Sequence, residues 1–292
     1  MTEQRESSFA GAGGIEIFWQ AWLPDGDVSA VVVIAHGAGE HSGRYVHVAQ
    51  RLTSEGYAVY AIEHRGHGRS QGPRALIDRL DNAVADLDKL VVQASVEQPG
   101  APVFLLGHSM GATIALSYAL AHQQRLAGLV LSGPLAALDP APAPLRLTAR
   151  ALSVLAPRTP LIGIDASLVS RDAAVVEDYR RDPLVYHGKL PARTVVELAG
   201  AIDSFPNAVG AITVPVLIMY GTDDGLCPPR GSVMLSQRIG STDRTLVDYA
   251  GLYHEILNEP EREQVLGDLC QWLASRVPQG SLTPSENRQP LK

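Results

Sequence analysis

Short runs of apolar residues alternate along the chain with longer segments in which apolar residues recur with helical spacing. Each short run is rich in β-branched residues and lies next to glycine or proline, which is typical of a buried strand. Continuous apolar strands favour a parallel sheet that is covered on both faces. The predicted inner strands are residues 30–35, 57–62, 103–106, 129–131 and 214–220, and the predicted outer strands are residues 15–22 and 244–249.

Helical patterns separate these strands. Three of them directly follow a predicted strand, and a fourth ends the ordered part of the chain. Pro260 suits the first turn of this last helix, because proline lacks an amide hydrogen that the first turn would leave unpaired. Strands that alternate with helices predict a mostly parallel, doubly wound α/β sheet. The predicted helices are residues 44–54, 77–96, 110–122 and 261–275.

About eighty residues between Pro134 and Val214 contain no strand-like run and interrupt this alternation. The insertion is too long for an ordinary crossover, and its helical pattern at residues 145–155 has apolar residues on more than one face. We therefore predict a helical lid or cap above the carboxyl ends of the strands, although such helices could also simply cover the sheet. The predicted domains are a core of residues 1–134 and 206–277, a lid of residues 135–205, and a disordered tail of residues 278–292.

The composition is that of a globular enzyme, with 46% apolar and 19% charged residues. A net charge of −7 argues against a nucleic-acid partner and against simple electrostatic adhesion to anionic membranes. Two distant cysteines, Cys227 and Cys270, give neither a disulfide framework nor the spacing of metal ligands. Without a signal peptide or an apolar run of about 18 residues, we expect a cytoplasmic protein that meets membranes only peripherally.

A Gly-x-Ser-x-Gly motif at residues 107–111 follows a predicted strand and opens a predicted helix. This is the context in which the α/β-hydrolase fold presents its nucleophile. The serine directs its hydroxyl away from the sheet, and the glycines let neighbouring backbone pass close by. Amides at the start of the helix point to the same place, where an oxyanion can develop. We therefore predict an α/β-hydrolase with Ser109 as its nucleophile.

The order of residues along the chain selects the partners of Ser109, because a hydroxyl is a poor nucleophile without a base. In this fold an acid follows the serine, and a histidine follows the acid. His254, between the last predicted strand and the last helix, comes after an acid at a strand end and is the predicted base. The acid is Asp223 or Asp224, and its position favours Asp224. It orients the imidazole and stabilises the imidazolium.

Two backbone amides are needed to hold the oxyanion of an acyl-transfer intermediate. One is predicted to be that of Met110, directly after the nucleophile. The other is expected in the loop of small residues after the first inner strand, where Ala38 is the predicted donor. His36 and His41 in this loop resemble metal ligands but lack a third ligand at usable spacing. The reaction needs no metal or other cofactor.

Five segments together resemble the monoacylglycerol lipase family, over about residues 10–275, much more specifically than Gly-x-Ser-x-Gly alone. The resemblance implies cleavage of monoacylglycerols to fatty acid and glycerol. In that family the acid ends a Gly-x-x-Asp turn, which supports Asp224, and the oxyanion amides correspond to those of Ala38 and Met110. The segments are HGAGEHSGRY (residues 36–45), HRGHGRS (64–70), GHSMGA (107–112), GTDDGLCP (221–228) and YHE (253–255).

The same resemblance implies a polar pocket for the glycerol head. Its residues correspond to Glu40, Arg44 and Tyr179, while Cys227 corresponds to a cysteine that flanks the site in some members. Leu257 departs from the pattern, because some relatives carry a polar residue there. The expected partner is a monoacylglycerol or another small lipid ester, together with a transient contact between the lid and a membrane surface.

Other functions fit parts of the sequence. A broader carboxylesterase or a lysophospholipase would use the same triad, and a phosphate or choline headgroup would call for complementary charge near Arg44. A Ser-dependent haloperoxidase-like enzyme is a further alternative. A non-catalytic receptor with a hydrolase fold commonly lacks a member of the triad, whereas this chain has all three. Dehalogenases and epoxide hydrolases carry aspartate where this chain has Ser109.

Overall fold

An eight-stranded sheet forms the centre of the protein in a computed structural model, which describes residues 3–277. The strands of the chain are β1 (Glu3–Ala10), β2 (Glu16–Leu23), β3 (Ala30–Ala35), β4 (Tyr57–Ile62), β5 (Val103–His108), β6 (Gly128–Ser132), β7 (Pro160–Ile162), β8 (Leu190–Pro191), β9 (Val216–Gly221) and β10 (Arg244–Tyr249). Their order in the central sheet is β1-β2-β4-β3-β5-β6-β9-β10. The β1–β2 and β2–β4 pairs are antiparallel and the others are parallel.

The sheet is buried on both faces. Successive residues of β3 point to opposite sides, so that Val31 and Val33 belong to one hydrophobic cluster, whereas Val32 and Ile34 belong to another. Every residue of β3, β4, β5 and β6 is buried, as their continuous apolar sequences require. This arrangement confirms the predicted doubly wound α/β fold.

The helices cover both faces of the sheet. Three of the four predicted helices, α1, α2 and α8, begin at a later residue than predicted. A short 3-10 helix at Ser42–Tyr45 precedes α1, α2 begins three residues late, and Pro260 lies in the turn before α8 rather than in its first turn. The helices are α1 (Val46–Ser54), α2 (Leu80–Glu97), α3 (Met110–His122), α4 (Ala143–Leu155), α5 (Ala173–Arg181), α6 (Ala192–Ala208), α7 (Arg230–Arg238) and α8 (Arg262–Ala274).

The insertion between β6 and β9 contains α4, α5, α6 and a small antiparallel pair of β7 with β8. These two short strands correct the expectation of a strand-free insertion. α4 packs against α6, which in turn contacts α3 of the core. Because α6 continues across residues 205 and 206, it spans the predicted domain boundary, and the domain division stays a prediction. The predicted tail at residues 278–292 lies outside the described residues.

The edge strand β1 is a second difference from the sequence prediction. It pairs with β2 along its whole length, from Glu3 opposite Leu23 to Ala10 opposite Glu16, and most of its side chains are exposed. Its polar sequence carries no buried-strand pattern, because the pairing with β2 rather than burial holds it. Among residues 3–277, no helix is both long and apolar enough to cross a bilayer.

Candidate active site

Ser109 lies at the sharp turn between β5 and α3. Its backbone has φ 54° and ψ −119°, a conformation that residues other than glycine rarely adopt. The flanking glycines make this turn sterically feasible. A Cβ atom on Gly107 would lie 2.6 Å from the carbonyl oxygen of Gly111, and one on Gly111 would collide with the backbone of Ala35. The motif therefore folds as the strained nucleophile turn that its sequence predicts.

The loop after β9 and the loop after β10 bring an acid and a histidine together. His254 Nδ1 lies 2.7 Å from Asp224 Oδ2, and both side chains are buried. The other carboxylate oxygen of Asp224 accepts the amides of Leu226 and Cys227 at 2.9 and 2.8 Å. Asp223 is exposed, and its carboxylate accepts the hydroxyl of the adjacent Thr222. The geometry thus pairs Asp224, not Asp223, with His254.

The thiol of Cys227 lies close to both Ser109 and His254, the predicted nucleophile and base. Its sulfur is 3.7 Å from Ser109 Oγ and 4.0 Å from His254 Nε2. Burial by itself would lower the pKa of His254, but the Cys227 sulfur and the Asp224 carboxylate outweigh it and raise this pKa well above its ordinary value. Sequence reasoning places Cys227 beside the site, and the structure places it in contact with two members of the triad.

The two residues that are predicted to supply oxyanion amides lie close to Ser109. Met110 is the first residue of α3, so its amide has no carbonyl one turn earlier within the helix. The loop that carries Ala38 passes close to the nucleophile, because a Cβ atom on Gly37 would lie 3.2 Å from Ser109 Cβ. Ala38 also forms part of the cavity wall beside Ser109. Both residues that are predicted to supply oxyanion amides therefore adjoin Ser109.

A cavity of about 410 Å³ has Ser109, Cys227 and His254 in its wall. Most of the wall is apolar, and much of it comes from the insertion and adjacent loops. A largely apolar cavity of this size can accommodate an apolar ligand. The apolar wall includes Leu135, Ile162, Leu168, Leu190, Leu198 and Ile202.

Polar groups of the cavity wall form a buried cluster with Arg44. Glu40, Tyr179 and Glu255 line the cavity, whereas Arg44 is not part of its wall. The guanidinium of Arg44 hydrogen-bonds to Glu255, lies 3.6 Å from Glu40 and stacks 4.8 Å from the centre of the Tyr179 ring. Burial raises the pKa of Glu40 to about 7, Glu255 adds to the increase, and Arg44 opposes it. Arg44 therefore affects the cavity indirectly, by fixing the positions and charges of Glu40 and Glu255 in its wall.

Glu255 is a site residue that the sequence prediction does not single out. The sequence feature that could have indicated it is its position directly after His254. Its place in the polar cluster, however, depends on a hydrogen bond from Arg44, which lies 211 residues away in the sequence. Leu257, where some relatives are expected to be polar, is buried in the core instead.

The loop histidines that resemble metal ligands have other partners. His41 Nε2 lies 2.8 Å from Asp182 Oδ2. His36 Nδ1 donates to the carbonyl of Gly37, and its ring packs against the rings of His64 and His67. Within residues 3–277, the side chains whose donor atoms lie close enough to share a metal ion are those of Asp224, Cys227 and His254.

Known proteins resemble this chain over nearly its whole length. Residues 26–261 match the family described as serine aminopeptidase, S33. A monoacylglycerol lipase from Mycolicibacterium smegmatis is 44% identical over 93% of this chain and 98% of its own. The monoglyceride lipase of Homo sapiens is 36% identical over 91% of this chain and 89% of its own.

A solved structure shows the same fold. The crystal structure of a soluble variant of monoglyceride lipase from Saccharomyces cerevisiae, in complex with a substrate analog, superposes with a TM-score of 0.84. It is 26% identical and covers 95% of this chain and 96% of the yeast chain.

Proposed function

Since this chain belongs to the α/β-hydrolase family that includes the monoacylglycerol lipases, we propose that it hydrolyses monoacylglycerols to a fatty acid and glycerol. One observation carries the proposal. The wall of the cavity at Ser109 combines many apolar side chains with a polar cluster of Glu40, Tyr179 and Glu255, which meet at Arg44. A monoacylglycerol has the same division into one apolar tail and one small diol head.

The proposed reaction proceeds through an acyl-enzyme. His254 takes the proton of Ser109 as the serine oxygen attacks the ester carbonyl, and Asp224 stabilises the imidazolium. The amides of Ala38 and Met110 hold the oxyanion. His254 then protonates the leaving glycerol oxygen, and a water molecule, activated by the same base, releases the fatty acid. The proposal requires a direct hydrogen bond between Ser109 and His254 in the substrate complex, where catalytic hydrogen bonds commonly form or tighten.

The polar part of the cavity wall favours a neutral diol. Because its pKa is about 7, Glu40 can both donate and accept hydrogen bonds near neutral pH. A second acyl chain in this region would leave buried polar groups unpaired, at roughly 1–3 kcal/mol for each. A phosphate headgroup would meet two carboxylates, while Arg44 is already paired with Glu255. These costs favour a monoacylglycerol over a lysophospholipid.

A headgroup panel tests this proposal. A monoacylglycerol, a lysophospholipid and a methyl ester with the same acyl chain are compared with an amino-acid anilide, the substrate type of an aminopeptidase. We expect the highest kcat/KM for the monoacylglycerol. A faster reaction with the lysophospholipid, or cleavage of the anilide in preference to the esters, would contradict the proposal.

The outer face of α4 is proposed to contact lipid aggregates transiently. Leu147 and Leu155 are 69% and 84% exposed, and Val154 lies beside them. Leu152, in contrast, is half-buried, so it belongs to the packed face of the helix. An exposed apolar helix face of this kind binds reversibly at the membrane interface through apolar burial.

Replacing both Leu147 and Leu155 with serine is expected to weaken binding to neutral phospholipid vesicles by about tenfold or more, since each leucine loses apolar contact area. Turnover of a short soluble ester should stay unchanged. Sedimentation with vesicles measures the first effect. Val96→Ser is the matched control, because Val96 is 73% exposed but lies on α2, outside the insertion. An equal loss of binding in the control, or none in the double variant, would exclude α4 as the contact.

A further inference from the structure

Three atoms that can bind a metal lie near one another in the active site: Cys227 Sγ, Ser109 Oγ and His254 Nε2. Cys227 Sγ lies 3.7 Å from Ser109 Oγ and 4.0 Å from His254 Nε2. All three side chains are buried, yet all three belong to the wall of the cavity, so a small ion that enters the cavity can reach them. Sulfur and imidazole nitrogen are the donors that zinc and similar thiophilic cations prefer.

The spacing of these atoms lets one cation reach sulfur and nitrogen, or sulfur and oxygen, at ordinary bond lengths. Zinc binds sulfur at about 2.3 Å and histidine nitrogen at about 2.0–2.1 Å. With those bond lengths, the 4.0 Å separation between Cys227 Sγ and His254 Nε2 gives an S–metal–N angle of about 130°. The 3.7 Å separation between sulfur and Ser109 Oγ gives an S–metal–O angle of about 120°. A fourth position faces the cavity, where water can complete the coordination.

Neighbouring residues already orient the two strong metal ligands, His254 Nε2 and Cys227 Sγ. Asp224 accepts a hydrogen bond from Nδ1 of His254, which leaves Nε2 as the nitrogen that a metal can bind in place of a proton, and a carboxylate behind a histidine is the usual support of a bound zinc ion. The same carboxylate accepts the amide of Cys227 at 2.8 Å and so fixes the backbone that carries the thiol. Two ligands are therefore positioned by one residue, without any change in the fold.

We propose that Cys227 and His254 form a reversible, inhibitory binding site for Zn²⁺ and other thiophilic divalent cations, with Ser109 or water as a further ligand. On binding, the Cys227 thiol and the His254 imidazolium each release a proton to solvent, and Sγ and Nε2 bond to the metal. The Nε2 lone pair of His254 is then occupied, so it cannot accept the proton of Ser109. The enzyme is inactive until the metal leaves. This inference goes beyond the proposed function, because it holds for any ester that Ser109 attacks.

Zinc titration of the hydrolysis of a soluble ester, in a buffer that does not bind metal, tests the site. Each variant is compared with its own metal-free rate. Cys227→Ser keeps the size of the side chain but removes the thiolate, and we expect at least tenfold more zinc for half inhibition. Cys270→Ser, which changes the other free cysteine, on α8 and outside the cavity wall, should respond like the unmodified chain. A chelator should restore activity fully.

Cadmium provides a readout that does not depend on turnover. The unmodified protein, Cys270→Ser and the inactive Ser109→Ala variant should each show sulfur-to-cadmium charge-transfer absorption, and Cys227→Ser should lose it. Equal zinc sensitivity of Cys227→Ser and the unmodified chain would overturn the proposal, as would the absence of the cadmium band in the unmodified protein. Since the band requires no substrate, its loss is distinguishable from a failure of the proposed function.

Discussion

Replacing Ser109 or His254 with alanine is expected to lower kcat by roughly a million-fold, because the members of a serine triad act as a unit. Asp224→Asn should cost about ten-thousand-fold, since the amide no longer stabilises the imidazolium and favours the wrong tautomer. Asp223→Asn is the matched control. Asp223 is exposed and contacts the adjacent Thr222 rather than His254, so its substitution should change kcat by less than about twofold.

Steady-state hydrolysis of a short soluble ester measures these four variants without involving the lid. Thermal unfolding should show that each variant still folds, because none of the substitutions removes a large apolar side chain. A severe effect of Asp223→Asn together with a mild effect of Asp224→Asn would reverse the assignment of the acid. Substantial residual activity of Ser109→Ala would exclude it as the nucleophile.

Mild acid is expected to destabilise the fold through three neutral, buried histidines that pack together, His36, His64 and His67. Burial lowers the pKa of His36 well below its usual value, that of His64 to about 3 and that of His67 to about 4. His36 Nε2 accepts a hydrogen bond from the backbone amide of His64. Protonation of Nε2 would therefore place two N–H groups against each other. Neither ring nitrogen of His64 has a hydrogen-bond partner. The folded protein therefore resists protonation of all three rings.

The unfolded chain binds these protons readily, because a free histidine titrates near pH 6.5. Below that pH the unfolded state binds more protons than the folded state, so the free energy of unfolding falls as the pH falls. His64 and His67 each contribute about 1.5 kcal/mol of this loss between pH 6.5 and 5, and His36 adds to it. His254 and Glu40 offset part of this loss, because the pKa of each is raised in the folded state, which therefore binds these protons at a higher pH than the unfolded chain does. The offset is smaller than the loss, because most of the effect of His254 lies above pH 6.5 and Glu40 is a single group opposed to three histidines.

Urea unfolding at several pH values between 7.5 and 5 measures the dependence. His64→Leu, which removes a titrating ring without breaking a side-chain hydrogen bond, should make the stability loss smaller by about 1.5 kcal/mol over the window. His187→Gln changes an exposed ring and should leave the dependence as it is. An unaltered pH dependence in His64→Leu would show that this histidine is not the source.

Local patterns predict the elements that depend on local sequence. The inner strand β3 is recognisable because all six of its residues are apolar, and the turn at Ser109 because its glycines allow a backbone approach that no other residue permits. β1 is not recognisable, since its polar residues form a strand only by pairing with β2. The periodicity of α4 predicts the helix but not which side packs on α6, so it does not distinguish half-buried Leu152 from exposed Leu147.

The polar part of the cavity wall could be predicted from the sequence only in part. Glu40, Arg44 and Tyr179 are predicted as headgroup contacts, and the structure brings all three together. However, Arg44 lies behind the cavity wall, and Glu255 takes a place in the wall. A pairing between residues so far apart in sequence depends on the tertiary structure, which a motif within one segment does not encode.

The relative kcat/KM of one monoacylglycerol and of the di- and triacylglycerols with the same acyl chain tests the central claim most directly. All three are presented in the same detergent micelles, so that the cavity and not the interface decides the rate. The account predicts that the monoacylglycerol is hydrolysed at least about tenfold better, because additional chains would leave Glu40, Tyr179 and Glu255 buried and unpaired. Comparable kcat/KM values for the mono- and triacyl substrates would contradict it and would identify a general lipase.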